Sequence, residues 1–179
     1  MKMEKILISD TAYNSNDLYN VVFANSKIIA YLLAQGVKAE ELHPAAMASY
    51  YVDYYFSQVN SAGLSKFVHD SEWNSDMNDR IAYGLKEMKS FKHLEFFNSK
   101  RNEINNLPSD KFERYLENGY HPDEPLRIEL DEDKTFYSID DEIVDLNGQW
   151  LKEHKDREVL SMDEIFLAIE DFLGKPIKR

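Results

Sequence analysis

The sequence predicts an all-α fold: a single-domain bundle of several helices around a buried, aromatic-rich central helix. Residues 45–56 are apolar or aromatic except at Ser49 and Asp53, and a helix that is apolar on nearly all sides belongs in a core. Apolar residues recur at helical spacing in most of the remaining chain. The 179 residues include no cysteine, and a chain of this length can bury one core without disulfide bonds, so we expect a single domain over residues 1–179.

The spacing of apolar residues and local start and stop signals place the helices of the first half. A long helix is predicted from Asn16 to Gly36. The central helix begins at Pro44, because proline suits the first helical turn, and it ends at the turn of residues 60–63. Further helices are predicted at residues 64–68, from residue 74 or 75 onward, and from residue 91 toward residue 107.

The second half begins with a helix and continues into a polar segment. Pro108 opens a helix that Asn118 and Gly119 close. Residues 120–136 are rich in proline and charge, which is typical of a loop. Within this loop apolar residues alternate at residues 126–130, and the alternation predicts one short extended segment there.

Two capping boxes mark the starts of the last two predicted helices. Ser138 with Asp141 forms the first box, and Ser161 with Glu164 forms the second. In such a box the serine and the acidic residue each satisfy a backbone N–H at the helix start. The last helix ends at Gly174.

The charge of the chain is concentrated in its second half. The formal net charge is -12, and residues 101–179 carry 21 acidic residues against 11 basic ones. Residues 123–171 alone carry 17 against 5. Such a field repels nucleic acids and acidic membranes and favours basic partners.

The sequence contains no segment that resembles a membrane anchor or a signal peptide. The longest early apolar run, residues 28–34, is far below the length needed to span a membrane. The first ten residues hold an apolar run of only three, residues 6–8, which is too short for a signal peptide. We expect a soluble, cytoplasmic protein.

The residues that bind cofactors and metals in other proteins do not form their usual patterns here. All six glycines are isolated and the five histidines include no i, i+4 pair, which argues against a nucleotide site and a helical zinc site. Asp131, Asp133, Thr135 and Glu142 match an EF-hand loop, but its sixth position is Phe136, where the turn requires glycine. We therefore expect no cofactor and no metal.

Asp53 is the one carboxylate that the pattern places in the middle of an apolar helix. Burial would raise its pKa, and a carboxyl group with a raised pKa can act as a general acid. Buried tyrosine hydroxyls need acceptors, however, and four neighbours compete for this carboxylate: Tyr50, Tyr51, Tyr54 and Tyr55. We expect a structural role for Asp53 and no enzymatic activity, with a hydrolase as the least favoured alternative.

Exposed acidic residues are the remaining candidates for a functional site. Asp110, Glu113 and Glu117 lie on one face of a predicted helix, and such neighbours are roughly 5–6 Å apart at Cβ. Lys111 and Arg114 interleave with them, which counts against a pure mimic, and an ordinary solvated face of an acidic protein is the alternative interpretation. The predicted protein-binding acids are Asp110, Glu113, Glu117, Asp123, Glu124, Asp131, Glu132, Asp133, Asp141 and Asp145.

Residues 54–74 resemble the family named after DNA mimic protein 19, which is otherwise known as a domain of unknown function. An aromatic helix runs into a turn at residues 59–64, and Phe67 and Val68 occupy the places of the family's next short helix. Ala62 stands where the family usually has glycine. The resemblance extends over roughly residues 45–173 and includes three further matches: residues 81–85, residues 93–97, and the Phe136-Tyr137 pair.

The resemblance implies an all-α domain without known enzymatic activity. The named member of the family uses the acidic surface of a dimer to occupy the DNA-binding face of a transcription factor. Together with the concentrated negative charge, it leads us to expect an acidic protein-binding module with a basic protein partner, and a DNA mimic is one form of such a module. The charge argues against direct binding of nucleic acid, and a homodimer is a further expectation. The alternative from another class is an immunity-type protein that neutralises a toxin.

Overall fold

Helices make up 69% of the structure, a computed structural model that describes residues 2–118 and 120–177. The prediction of an all-α fold with a buried aromatic cluster is confirmed. The elements are β1 (Ile6–Ser9), α1 (Asp10–Tyr13), α2 (Tyr19–Ala34), α3 (Pro44–Ala62), α4 (Leu64–Asp70), α5 (Ser75–Glu87), α6 (Phe91–Asn105), α7 (Ser109–Glu117), α8 (Pro125–Glu132), α9 (Ile143–Glu153), β2 (Arg157–Leu160) and α10 (Met162–Leu173), with short 3-10 helices at Ala39–Glu41 and Thr135–Ser138.

The predicted helices of the first half are confirmed within a few residues at their ends. The chain forms two compact units, residues 1–53 with 143–179 and residues 54–142. The expectation of one domain over residues 1–179 stays a prediction. Every helix within the described residues is too short or too polar to cross a membrane.

The first unit contains the only strands among the described residues. β1 pairs with β2 in parallel, with Ile6 opposite Arg157. All four residues of β1 are buried, whereas the first three of β2 are exposed. The sequence did not predict these strands, because β1 is only four residues long and the exposed residues of β2 give no apolar pattern.

Helices α2 and α9 of this unit approach each other closely at Gly148. Gly148 is buried within α9, and a Cβ atom added to it would lie 2.4 Å from the backbone oxygen of Leu18. The core of this unit includes Ile29, Met47 and Leu151. Glycine is therefore required at position 148 because no side-chain atom fits there.

A cluster of aromatic rings forms the core of the second unit. The ring of Tyr55, on α3, packs edge-to-face on Phe67, Phe97 and Phe136, with centroids 5.1 to 6.0 Å apart. Edge-to-face pairs of this kind are favourable because the positive ring edge meets the negative ring face. Tyr55 is fully buried, yet its hydroxyl has no hydrogen-bond partner within the part of the chain that the structure describes.

The predicted extended segment near residues 126–130 is wrong, since these residues lie within α8. Leu126 and Leu130 are buried, and Ile128 is 51% exposed. Residues 126 and 130 also satisfy the i, i+4 spacing of a helix, so the same pattern is compatible with a strand and with a helix. Pro125 in the first turn and the Glu124 carboxylate, which accepts from the N–H of Leu126, start the helix.

The two predicted capping boxes have different outcomes. Ser161 and Glu164 form a complete box at the start of α10. The box of Ser138 and Asp141 is wrong, because α9 begins only at Ile143 and the Ser138 hydroxyl donates to the carbonyl of Thr135. Helix α7 ends at Glu117, and the predicted stop at Gly119 lies outside the described residues.

Candidate functional site

Helix α7 carries the predicted acidic stripe on its outer face. Its inner face is anchored by Tyr115, which is fully buried and donates from its hydroxyl to the carbonyl oxygen of Ser65 at 2.7 Å. Asp110, Glu113 and Glu117 are all exposed. Their i, i+3 and i+7 positions place them along one side of the helix.

Helix α8 packs beside α7 and adds further carboxylates. Leu126 and Leu130 anchor α8, and Lys111 of α7 forms an ion pair with Glu129 of α8. This pair links the two helices. We define the α7–α8 acidic surface as the exposed, predicted acids on these helices and the segment between them: Asp110, Glu113, Glu117, Asp123 and Glu132.

One basic side chain lies within the acidic stripe of α7. Arg114 and Asp110 approach to 3.6 Å, with 65% and 82% of their side chains exposed. Ion pairs as exposed as this one contribute at most about 1 kcal/mol, because water screens both charges. Asp110 therefore remains available to a stronger cationic partner.

Asp131, another predicted binding residue, accepts hydrogen bonds from a distant helix start. Its carboxylate accepts from the backbone N–H of Ser65 at 3.0 Å and from the Ser65 hydroxyl at 2.6 Å. Ser65 is in the first turn of α4, where backbone N–H groups lack helical partners and a negative charge is favourable. Asp131 thus caps α4 from a distant part of the chain.

Asp141 has the same role at the start of α6. Its carboxylate accepts from the backbone N–H groups of Lys92 at 2.8 Å and His93 at 3.4 Å, and from the Ser90 hydroxyl at 3.3 Å. Asp141 therefore caps α6, and not the later helix whose start the sequence predicted for it. The Asp141 carboxylate is therefore already hydrogen-bonded within the chain.

Two further predicted residues are also held by neighbours. Asp133 pairs with the largely buried Lys100 at 2.8 Å and accepts from the N–H of Thr135 at 2.8 Å. These contacts, led by the bond from Lys100, lower the pKa of Asp133 to about 2. Glu124 caps α8, as described above. Asp145, the last predicted residue, is exposed on α9 in the first unit.

Asp53 lies half-buried on α3 and accepts from the hydroxyl of Ser26 at 3.0 Å. Burial raises its pKa, and the hydrogen bond from Ser26 acts in the opposite direction. The buried hydroxyl of Tyr55 does not use this carboxylate, so the predicted pairing is wrong for that tyrosine. A carboxylate held by one serine does not by itself constitute a hydrolytic site, which needs a second catalytic group.

Ser65 is a second polar group that could suggest catalysis. Its hydroxyl contacts the Asp131 carboxylate and lies 2.8 Å from the hydroxyl of Tyr120. Ser65 is fully buried, however. A nucleophile must reach its substrate, so this cluster is better explained as internal hydrogen bonding.

The sequence did not predict that His43, His154 and Asp156 lie together. One ligand atom from each residue lies within 4.8 Å of the others, which is compatible with a metal site. Yet His43 Nδ1 accepts from the N–H of Ala45 at 3.2 Å, and His154 Nδ1 accepts from the N–H of Asp156 at 3.2 Å. In a neutral imidazole the other nitrogen then carries the proton, so neither Nε2 atom has a lone pair for a metal.

This arrangement predicts that acid destabilises the protein. Burial lowers the pKa of His43, and His154 and Lys2 lower it further, while Asp156 opposes them. The unfolded state therefore binds a proton more readily, and the free energy of unfolding should fall as pH drops below about 6.5, the ordinary histidine pKa. Above that pH both states hold His43 neutral, and the protein keeps the full stability that acid removes.

Chemical denaturation between pH 5 and pH 8 tests this prediction in His43→Asn. Asparagine also caps helices well, so this variant keeps an acceptor for the N–H of Ala45 and removes the group that titrates in this pH range. We expect a flatter pH dependence than in the wild type, with His121→Asn, at an exposed position, as the control. Equal slopes for wild type and His43→Asn would show that His43 is not responsible.

A pocket of about 280 Å³ borders the acidic surface at Glu113, and we call it the Trp73 pocket. Its lining comprises Trp73, Ile104, Asn105, Leu107, Ser109, Phe112 and Glu113. Sequence reasoning missed it because three separate segments form it. The one local signal was Trp73 itself, which lies between two helices in a segment without apolar periodicity.

Residues 40–154 match the family model described as DMP19-like protein. The match covers almost two thirds of the chain. It begins five residues before the resemblance noted in the sequence and ends before β2 and α10. Comparison with curated proteins and with solved structures found no match.

Proposed function

The chain belongs to the DMP19-like protein family, and we propose that it is an acidic protein-binding module that acts as a DNA mimic. In this role it occupies the basic surface of a DNA-binding protein. The observation that carries the proposal is the α7–α8 acidic surface. Its five carboxylates are exposed, whereas the neighbouring carboxylates of Glu124 and Asp131 accept hydrogen bonds at helix starts.

A row of carboxylates along a helix can replace the phosphates of DNA in a contact with lysine and arginine. Phosphate contacts supply most of the sequence-independent affinity of DNA-binding proteins. Asp110, Glu113 and Glu117 lie on a helix, so binding does not have to order the backbone that carries them. The second unit has 19 acidic and 11 basic residues, and this excess steers a basic partner toward it.

We also propose that the protein has no enzymatic activity. This proposal is supported by the surroundings of the side chains that could otherwise act in catalysis. Asp53 is bonded to Ser26, and Ser65 is fully buried with Asp131. The Nδ1 atoms of His43 and His154 both accept hydrogen bonds from backbone N–H groups.

Charge reversal of the α7 stripe tests the proposed function. The partner is first captured at low salt, identified and purified, and its affinity is then measured by calorimetry at several salt concentrations. The variant Asp110→Lys/Glu113→Lys/Glu117→Lys should bind about a hundredfold more weakly, because several charge pairs become repulsive. Its affinity should also depend less steeply on salt.

The matched control reverses three exposed acids outside α7 and α8: Glu4→Lys/Glu40→Lys/Glu158→Lys. It changes the net charge by the same amount, so it should retain most of the affinity. Duplex DNA should compete with the wild type for the partner. Equal losses in both variants, or no competition by DNA, would contradict the proposal, and tight binding that is insensitive to salt would favour the toxin-neutralising alternative.

A further inference from the structure

The Trp73 pocket combines four apolar side chains with the polar Asn105 and Ser109 and with one exposed carboxylate. Trp73 and Ile104 are 9% and 3% exposed, so they form its base, while Phe112 and Leu107 are half-buried. Glu113, at the edge, belongs to the α7–α8 acidic surface. Among the described residues, those that line the pocket include no basic side chain. A ligand suited to this pocket would therefore combine positive charge with apolar surface.

The backbone holds Trp73 in an unusual conformation. Glu72 and Trp73 both have φ of +50°, in the left-handed region that non-glycine residues rarely occupy. The indole N–H of Trp73 donates to the side-chain oxygen of Asn105 at 2.9 Å, and its ring packs against Phe67 and Phe97. These contacts fix the indole, so the pocket is formed before any ligand arrives.

We propose that the Trp73 pocket receives an arginine side chain of the basic partner. This inference rests on the proposed function and specifies how one part of the acidic surface is used. The guanidinium group pairs with Glu113, and its flat face and the methylene groups of the side chain contact the aromatic wall. Arginine is suited to such a place because it is planar, weakly hydrated and able to stack on aromatic rings.

The size of the pocket favours a side chain over a small molecule. Its volume of about 280 Å³ lies just below the roughly 300–1,000 Å³ of most small-molecule sites. It is also many times the roughly 30 Å³ that one water molecule occupies in the liquid. Lysine would place a compact, strongly hydrated charge there and would gain less from the rings.

The probes for this inference are hexa-arginine and hexa-lysine peptides, which carry equal charge. Binding is followed at low salt by the ¹H–¹⁵N signal of the Trp73 indole, with the Trp150 indole as an internal reference. Hexa-arginine should bind about fivefold more tightly than hexa-lysine. It should shift the Trp73 signal and leave the Trp150 signal in place.

Two single variants separate the pocket from the rest of the surface. Glu113→Gln and Glu117→Gln each remove one charge from the same exposed helix face, but only Glu113 lines the pocket. Glu113→Gln should reduce the preference for hexa-arginine, whereas Glu117→Gln should weaken both peptides equally and keep the preference.

Equal affinity for the two peptides, equal effects of the two variants, or binding that leaves the Trp73 signal unmoved would overturn the inference. If those results accompany a loss of binding in the triple reversal of α7, the acidic surface still functions and only the arginine pocket is wrong. If neither peptide binds the wild type at low salt, the inference and the proposed function both fail.

Discussion

Replacing Gly148 with alanine should lower the free energy of unfolding by roughly 3 kcal/mol, the upper range for overpacking a well-packed core. The new Cβ atom would lie 2.4 Å from the backbone oxygen of Leu18 and 2.9 Å from its carbonyl carbon. Both are backbone atoms, so a rotamer change cannot relieve the collision. Alanine's higher helix propensity returns only about 1 kcal/mol.

Thermal and urea unfolding measure this loss, and we expect the midpoint temperature to fall by roughly 10 °C. The control is Gln149→Ala, an exposed substitution in the same helix, which should change stability by less than about 0.5 kcal/mol. A Gly148→Ala variant as stable as the control would mean that α2 and α9 do not approach as closely as described.

Helices were predictable from the sequence because their signals are local. The start of α5 at Asn74 and the capping box of Ser161 with Glu164 each depend on residues three positions apart. The strands were not predictable in this way, because β1 and β2 are paired across about 150 residues. The prediction for residues 126–130 was wrong for another reason, because three alternating apolar residues fit both a strand and a helix.

The contacts of the predicted acids were less predictable from the sequence than the fold, for one reason. Charge and helical spacing identify which carboxylates belong to a helix face, and Asp110, Glu113 and Glu117 are exposed as expected. They do not reveal that Asp131 contacts Ser65, 66 positions earlier. Nor do they reveal that Asp141 contacts Lys92, 49 positions earlier. Such long-range caps look like ordinary surface acids in the sequence.

The same limit hides groups that are assembled from distant segments. His43 and His154 are separated by more than a hundred residues, and the Trp73 pocket draws on residues from three segments. An acidic protein therefore contains two populations of carboxylates that the sequence cannot separate. One population satisfies helix starts and lysines, and the other remains exposed for binding.

Replacing Asp131 with alanine tests this division directly. The substitution should lower the free energy of unfolding by about 3 kcal/mol, because it leaves the buried N–H and hydroxyl of Ser65 without their charged acceptor. Chemical denaturation measures the loss. Asp131→Asn, which keeps one acceptor oxygen, should lose less, and Glu132→Ala, at the exposed neighbour, should lose almost nothing.

For partner binding, the two alanine variants should rank in the opposite order from their effects on stability. Measured where each variant is still folded, Asp131→Ala should bind the partner nearly as well as the wild type, because its carboxylate already serves Ser65. Glu132→Ala removes an exposed charge and should weaken binding more than Asp131→Ala does. If Asp131→Ala instead leaves stability unchanged and weakens binding, Asp131 belongs to the binding surface, and the assignment of its carboxylate to helix α4 is wrong.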